Sequence, residues 1–180
     1  AVVFVLSAAS SYNGFDKIPA YDGVHPSAHV HRYLAATGNV DYPALYQKHV
    51  RDYKNLFNRV RISLGVPSDQ SKLPTDQRIG LFSNSGDPTF PALYFQFGRY
   101  LMIAGSRQGG QPLNLQGIWN DKIIPPWNGA YTTNINLEMN YWPAELTNLS
   151  EVCDPGFKAV KELARNGETA AWNMFGNQGW

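Results

Sequence analysis

The residues best suited to chemistry lie between Asn114 and Glu145, in the stretch NLQGIWNDKIIPPWNGAYTTNINLEMNYWPAE. Three of the chain's five tryptophans occur there among many asparagines: Trp119, Trp127 and Trp142. Amide groups donate and accept hydrogen bonds, and aromatic rings offer flat apolar faces for stacking. This combination indicates a surface that binds sugars through their hydroxyl groups and their apolar ring faces.

The segment TTNIN, residues 132–136, carries two amides spaced for joint action. If the segment is extended, Thr132, Asn134 and Asn136 share one face, because side chains alternate along a strand. Two amides about 7 Å apart would position a water molecule or adjacent hydroxyls. Neither amide titrates, so any general base must be a carboxylate from elsewhere. The alternative is structural, with both asparagines capping the following helix or satisfying the loop backbone.

Glu138 and Glu145 are the nearest carboxylates in this stretch. Seven helical residues separate them by about 10 Å on nearly the same face, close to the roughly 6.5–9.5 Å found in inverting glycosidases. Pro143 lies between them and distorts a helix, and glutamates at a helix start are commonly structural. We therefore do not assign them as a catalytic pair.

Composition excludes several classes of function. A net charge of +1, from 15 basic and 14 acidic residues without a basic stripe, disfavours a nucleic-acid partner. A single cysteine, Cys153, excludes an internal disulfide and a multi-cysteine zinc site, and we interpret it as a small buried residue. His25, His29 and His31 are interpreted as surface or structural residues within a loop. No apolar run approaches the ~18–20 residues of a membrane span, and we expect neither a metal nor another cofactor.

The N-terminal third is predicted to contain one strand and one helix. Val2–Leu6 is short and β-branched, which indicates a strand, and turn residues after it indicate a loop as far as residue 33. Helical periodicity from Asp41 to Leu64 predicts an amphipathic helix with Asp41 as its N-cap and Gly65 as its end.

The remainder is predicted to be helical, with long loops. Residues 65–86 indicate a turn-rich connector and the best domain boundary. The following helix, from Asp87 to Gly105, is predicted to bury Phe90, Leu93, Tyr94, Phe97, Leu101 and Ala104. Glycines and prolines exclude a continuous helix over 106–130, where a long loop indicates function. The next helix begins at Asp154-Pro155 and ends before Gly167, with a shorter one over 168–175; its predicted inward residues are Phe157, Val160, Leu163 and Ala164.

The motifs NLQGIWN, PPW and NINLEMNYWPAE, with LPTDQRI and LYFQFGRYLMIAGSR upstream, resemble glycoside hydrolase family 95. This family contains inverting α-L-fucosidases and related α-L-galactosidases. The similarity covers nearly the whole chain and is densest from about Leu73 to Glu151. It implies a mostly α chain that holds the end of an N-terminal β-sandwich (1–33), a helical linker (34–72) and the start of an (α/α)6 catalytic barrel (73–180).

The resemblance also implies roles for individual residues. Asn134 and Asn136 match the two amides that hold and help activate the attacking water. The family's general acid glutamate and its amide-polarising aspartate would lie beyond Trp180, so this chain alone is expected to be inactive. Thr132 occupies a position where fucosidases commonly have histidine.

The resemblance leaves the bound sugar open. Thr132 in place of the larger imidazole would leave room for the C6 hydroxyl of L-galactose, which makes an α-L-galactosidase a close alternative. Trp119 is a candidate for substrate binding. A non-catalytic sugar-binding domain is a further alternative. The expected partners are an oligosaccharide or polysaccharide and the other domains of the same protein, in an extracytoplasmic location.

Overall fold

A computed structural model describes residues 2–38 and 41–179, and it is mostly helical. Its α-helices are α1 (Pro19–Asp22), α2 (Pro26–Thr37), α3 (Tyr42–Phe57), α4 (Thr75–Ser85), α5 (Thr89–Gly105), α6 (Asn136–Leu146) and α7 (Asp154–Phe175). Short 3₁₀ turns occur at Asp69–Lys72, Pro126–Gly129 and Ser150–Cys153. The chain divides into two compact units, Ala1–Asp52 with Lys161–Trp180, and Tyr53–Val160. Residues 1, 39, 40 and 180, which the predicted domain segments include, lie outside the described residues.

The N-terminal segment differs from its prediction. Residues 2–6 form no strand, and the side chains of Phe4 and Leu6 are 91% and 93% exposed. A strand requires a neighbouring strand for its backbone hydrogen bonds, and no strand occurs within the described ranges. The predicted loop up to residue 33 is also wrong in part, because α1 and most of α2 lie within it. His25 is the N-cap of α2 and accepts a hydrogen bond from the Ser27 amide.

Helix α3 begins as predicted and ends early. The Asp41 Oδ1 atom accepts a hydrogen bond from the Ala44 amide at 2.9 Å, which confirms the N-cap. The helix ends at Phe57 instead of Leu64. Its last carbonyls, those of Leu56 and Phe57, accept hydrogen bonds from the guanidinium of Arg99. Because a side chain satisfies these carbonyls, a further helical turn is not required.

The predicted connector over residues 65–86 is wrong in its second half, most of which forms α4. Arg78 on α4 forms a buried ion pair with Asp87 at 2.9 Å. The ring of Phe82 packs at 5.1 Å from that of Phe90 on α5. These tertiary contacts stabilise a helix whose own sequence is rich in turn-forming residues. Gly86 then ends α4 with a φ of 57°, a left-handed conformation that glycine adopts without strain.

Helix α5 ends where predicted, begins one residue later than predicted, at Thr89, and has a different buried side. The Asp87 carboxylate accepts from the Thr89 amide at 3.1 Å, and the helix ends at Gly105. Most of the predicted buried face is exposed, including Tyr94 at 73% and Phe97 at 51%, along with Leu93 and Ala104. The buried residues are Arg99, Met102 and Ile103. Periodicity identifies the apolar side of a helix and does not decide which side is covered by other elements.

Helix α7 is continuous from Asp154 to Phe175, so the predicted stop at Gly167 is wrong. A single glycine in a helix costs only about 1 kcal/mol relative to alanine, which neighbouring turns outweigh. Three residues predicted to point inward are exposed: Phe157 at 61%, Val160 at 47% and Leu163 at 43%. No helix in the described ranges combines the length and apolarity needed to cross a membrane.

The core of the Tyr53–Val160 unit joins the end of α3 with α5, α6 and the 3₁₀ turn at Ser150–Cys153. Its buried members are Leu56, Met102, Ile103, Ala144, Leu149, Val152 and Cys153. Cys153 is a free, buried thiol, as predicted. Burial raises the pKa of this thiol, and the nearby Glu145 raises it further.

Arg99 is the charged residue at the centre of this core and is only 2% exposed. Its guanidinium donates to four backbone carbonyls: Phe57 (2.7 Å), Leu56 (3.0 Å), Val60 (3.3 Å) and Thr147 (3.3 Å). It also donates to the Gln96 side chain at 2.9 Å. Burial lowers the pKa of Arg99. The ion pairs among residues 2–38 and 41–179 do not include it, so carbonyl dipoles stabilise the charge.

Replacing Arg99 by methionine is expected to lower the free energy of unfolding by about 3 kcal/mol, because it leaves buried carbonyls without donors. Urea unfolding of wild-type and variant protein measures the difference. Arg61→Met is the matched control, since Arg61 is exposed and lies just beyond α3. Equal effects of the two changes would show that Arg99 does not hold these elements together.

The contact that the Asp87 carboxylate forms between α4 and α5 is expected to weaken at low pH. Burial opposes ionisation of Asp87, but hydrogen bonds from Thr89 and Arg78 outweigh it and lower the pKa of the carboxyl. The stability it contributes is therefore present above its unfolded pKa and is lost as the pH falls through its lower folded pKa, below about pH 4. When the thermal midpoint of unfolding is measured against pH, Asp87→Asn should reduce the fall of the midpoint below about pH 4. Asp76→Asn, at an exposed position of α4, is the control and should leave that fall unchanged.

Candidate active site

The candidate site is carried by a long loop between α5 and α6. As predicted, no α-helix interrupts residues 106–135; the loop contains a bridge between Asn114 and Gly117 and the 3₁₀ turn at Pro126–Gly129. The Leu115 amide donates to the Ala130 carbonyl at 3.2 Å, which brings the two halves of the loop together. The side-chain amide of Asn140 on α6 donates to the Asn114 carbonyl at 3.1 Å.

Tyr141 fixes the entry of this loop to α6. Its hydroxyl accepts from the Leu113 amide at 3.0 Å and lies 2.8 Å from the hydroxyl oxygen of Ser106. Ser106 donates its one hydroxyl hydrogen to the Val152 carbonyl at 2.7 Å, so Tyr141 must donate to Ser106. Tyr141 thus packs against the core. Trp142 does not, since it is 60% exposed.

The two candidate amides lie at the start of α6 with a geometry that differs from the predicted one. Residues 133–135 form a turn, and Asn136 is the first residue of α6, so the segment is not extended and the period-two argument does not apply. The Leu137 amide donates to the Thr132 carbonyl at 3.2 Å and closes this turn. This turn, rather than strand alternation, determines where Asn134 and Asn136 lie at the start of α6.

Both amides are available to a ligand. Asn134 is exposed and Asn136 is half-buried. Neither side chain makes a hydrogen bond to the described part of the chain, and α6 has no side-chain cap. The structural alternative, in which these asparagines cap the helix or satisfy the loop backbone, is therefore not observed.

Backbone strain is concentrated just before these amides. Three non-glycine residues there have positive φ angles: Trp127 (55°), Asn128 (56°) and Thr132 (50°). A β-branched residue such as Thr132 is especially unfavourable in this left-handed region. Such outliers persist when the surrounding structure imposes them, and they cluster at ligand-binding positions. The strain therefore supports a functional role for the segment that ends in Asn134.

The nearby carboxylates do not form a buried acid–base pair. Glu138 and Glu145 both lie on α6 and are exposed. Pro143 is accommodated inside the helix, which runs without a break from Asn136 to Leu146. Within residues 2–38 and 41–179, no group of three or more histidine, cysteine, aspartate or glutamate side chains is placed to hold a metal ion.

A shallow cavity of about 610 Å³, widely open to solvent, lies in the loop that contains Trp119. Gln116, Trp119, Asp121, Lys122 and Pro126 are among its lining residues. Trp119 is 42% exposed, whereas Trp127 is 83% exposed and does not line this cavity. Trp119, the predicted substrate-binding residue, therefore lies at this cavity together with Gln116, which the sequence did not single out. The Gln116 Oε1 atom is buried without a hydrogen-bond partner among the described residues.

The chain is similar to one protein family and to several individual proteins. The family model for the glycosyl hydrolase family 95 catalytic domain matches residues 41–180. The chain is 39% identical to Alpha-L-fucosidase 2 of Arabidopsis thaliana over 99% of the chain and 22% of that protein. It is 35% identical to Probable alpha-fucosidase A of Aspergillus niger, over 99% of the chain and 23% of that protein. It is 30% identical to Probable alpha-fucosidase A of Aspergillus oryzae, over 100% of the chain and 26% of that protein.

The chain therefore spans about a quarter of the length of these relatives. The family match covers most of the chain, including the loop from Ser106 to Ile135 and both candidate amides. By this match, the chain belongs to glycosyl hydrolase family 95 and forms part of its catalytic domain.

Proposed function

We propose that this chain is part of a glycosidase that releases terminal α-L-fucose from glycans with inversion at the anomeric carbon. The observation that carries the proposal is the pair of amides, Asn134 and Asn136, which form no side-chain hydrogen bond with residues 2–38 or 41–179 and follow a strained backbone within the family match. The fucosidase names of the Arabidopsis and Aspergillus relatives support the choice of sugar. The activity belongs to the full-length protein, since the chain covers only part of those relatives.

The amides would act on the water that attacks the anomeric carbon. Inversion requires a water on the face opposite the leaving group and an acid that protonates the leaving oxygen. Asn134 and Asn136 offer carbonyl oxygens that accept hydrogen bonds from that water and orient it. Because an amide cannot take a proton at neutral pH, a carboxylate outside this chain would polarise the amides, and a second would be the acid. The chain alone is then inactive.

The proposed architecture is the one that the family resemblance implies. Residues 1–33 would form the end of a β-sandwich domain, 34–72 a helical linker and 73–180 the first part of an (α/α)6 barrel. The exposed apolar side chains of residues 2–6 fit a segment whose strand partners lie in the rest of the protein. An enzyme of this kind acts on oligosaccharides or polysaccharides outside the cytoplasm.

An α-L-galactosidase is the second candidate, and Thr132 is the observation that favours it. Thr132 is exposed and precedes Asn134 by two residues, so its hydroxyl can reach a sugar bound to the amides. L-Galactose carries a C6 hydroxyl that L-fucose lacks. A site that hydrogen-bonds a substrate hydroxyl discriminates strongly against the analogue without it. A larger side chain at this position would fill the same space.

Replacing Asn134 or Asn136 by alanine in the full-length protein is expected to lower kcat at least about 100-fold, because the attacking water loses its orientation. Turnover of α-L-fucosides and the thermal midpoint are measured on the same samples, and the midpoint should change little. Asn166→Ala, at an exposed position of α7, is the matched control. Near wild-type turnover in either variant would refute the role assigned to that amide.

Thr132→His is expected to shift the ratio of kcat/KM values for α-L-fucoside over α-L-galactoside by about tenfold toward the fucoside. The imidazole would occupy the space that the C6 hydroxyl needs. Histidine also tolerates positive φ better than a β-branched residue, so folding should not suffer. Thr133→His adds the same ring one residue later and should leave the ratio unchanged. A constant ratio in Thr132→His would exclude this residue from sugar selection.

A further inference from the structure

We propose that Asn128 undergoes spontaneous deamidation in the folded protein, so that the 3₁₀ turn at Pro126–Gly129 is a site of slow covalent modification. Asparagine is chemically labile, and a following glycine favours the reaction because it has no Cβ atom to shield its backbone nitrogen. The sequence therefore offers three comparable candidates, and only their structural surroundings distinguish them. The three Asn-Gly dipeptides are Asn13-Gly14, Asn128-Gly129 and Asn166-Gly167.

Deamidation requires no co-reactant except water. The backbone nitrogen of Gly129 attacks the Cγ atom of Asn128 and forms a new C–N bond. The bond from Cγ to Nδ2 then breaks, and ammonia leaves with the proton of the attacking nitrogen. Water opens the resulting cyclic imide, giving aspartate when it adds at Cγ and isoaspartate when it adds at the main-chain carbonyl carbon. The ring closes only after the backbone of the asparagine rotates, so the cost of local opening controls the rate in a folded protein.

Asn128 lies where local opening costs little. It is exposed, and its side chain forms no hydrogen bond with residues 2–38 or 41–179. Trp127 before it is 83% exposed, so the turn buries little apolar surface. The Asn128 amide donates to the Pro125 carbonyl at 3.0 Å, and the Ala130 amide donates to the Trp127 carbonyl at 3.1 Å. Such 3₁₀-type bonds have poorer geometry than those of an α-helix, which makes this turn easy to open.

Backbone strain favours the reaction further. Trp127 and Asn128 have φ angles of 55° and 56°, in the left-handed region. Asparagine tolerates this region, whereas a bulky residue such as tryptophan is an outlier there. Ring closure moves Asn128 out of this conformation, and isoaspartate adds one carbon to the main chain. Both changes allow the neighbouring tryptophan to relax.

The other two asparagines are protected by bonds that Asn128 lacks. The side-chain amide nitrogen of Asn13, which would have to leave, donates to the Asp22 carbonyl at 2.8 Å. Asn166 lies within α7, where rotation of the backbone requires hydrogen bonds of successive helical turns to break. All three asparagines are exposed, so exposure alone does not distinguish them.

Deamidation would change the segment that precedes the candidate amides. Both products replace a neutral amide by a carboxylate and so add a negative charge to the loop. Isoaspartate also lengthens the main chain two residues before Ala130, whose carbonyl accepts from the Leu115 amide at 3.2 Å. Thr132 follows two residues later with its positive φ. We therefore expect isoaspartate at position 128 to alter the path of the chain into Thr132.

The test incubates the full-length protein at neutral pH in heavy-oxygen water and measures label uptake at each asparagine by peptide mapping and mass spectrometry. The label enters when the imide is hydrolysed, so deamidation before the incubation is not counted. In the folded protein, uptake at Asn128 should be at least about tenfold faster than at Asn13 or Asn166, because these two must first break stabilising bonds. In urea, where the fold is absent, the three rates should become similar.

Asn128→Gln is the control variant. Its side chain is longer by one methylene, so the five-membered ring cannot form, although the amide is retained. Label uptake at position 128 should be lost, and uptake at Asn13 and Asn166 should not change. Uptake at position 128 that persists in this variant would show that the label does not report ring closure there, and would overturn the assignment.

Each result of the rate comparison decides the inference. Fast uptake at Asn128 in the folded protein, with similar rates in urea, supports it. Similar rates in the folded protein, or uptake at Asn128 in urea only, contradict it, because the turn then opens no more easily than the other two sites. A preference for Asn128 that persists in urea also overturns it, since the sequence rather than the fold would set the rate. The measurement does not use glycosidase activity, so its outcome is independent of the proposed function.

Discussion

The Tyr53–Val160 unit depends on one buried cation bound by backbone carbonyls. Arg99 donates hydrogen bonds to the carbonyls of Leu56 and Phe57 at the end of α3. It also donates to the carbonyl of Thr147, directly after α6. A guanidinium has five donors in a fixed plane, so one side chain can satisfy several elements at once. The negative end of the α3 dipole further stabilises the charge. Three helices are thereby fixed in one arrangement, and α6 begins with Asn136, one of the candidate amides.

The loop before α6 is hydrogen-bonded to that helix in its first part, and its backbone is strained in its last part. Tyr141 and Asn140 bind its first part to α6, so residues from Leu113 onward are held against the helix that they precede. Thr132, with a φ of 50°, then turns the chain into α6. Strain of this kind is tolerated because well-packed neighbours impose it. The amides consequently follow a backbone that tertiary contacts constrain, which suits the role proposed for them.

The sequence predicted helix caps and loops more accurately than it predicted burial. Caps and motifs were predictable because they depend on nearby residues: Asp41, Asp87 and the loop after Gly105 all occur where the sequence placed them. Burial was poorly predicted, since Tyr94, Phe97 and Phe157 are exposed although they follow an apolar periodicity. A period of 3.6 shows which side of a helix is apolar, and only the packing of other elements decides what is covered.

By itself, the sequence determined the family and the helical character of residues 73–180, because motifs and helical periodicity depend on residue types at fixed spacing. The roles of Asn134 and Asn136 remain a prediction from the family resemblance. The tertiary structure decided the rest. It replaced the extended Thr132–Asn136 segment with a turn, since a strand needs a partner and α6 offers the Leu137 amide instead. It also buried the Gln116 Oε1 atom beside Trp119. A missing hydrogen-bond partner is a relation between distant groups, so it exists only once the chain is folded.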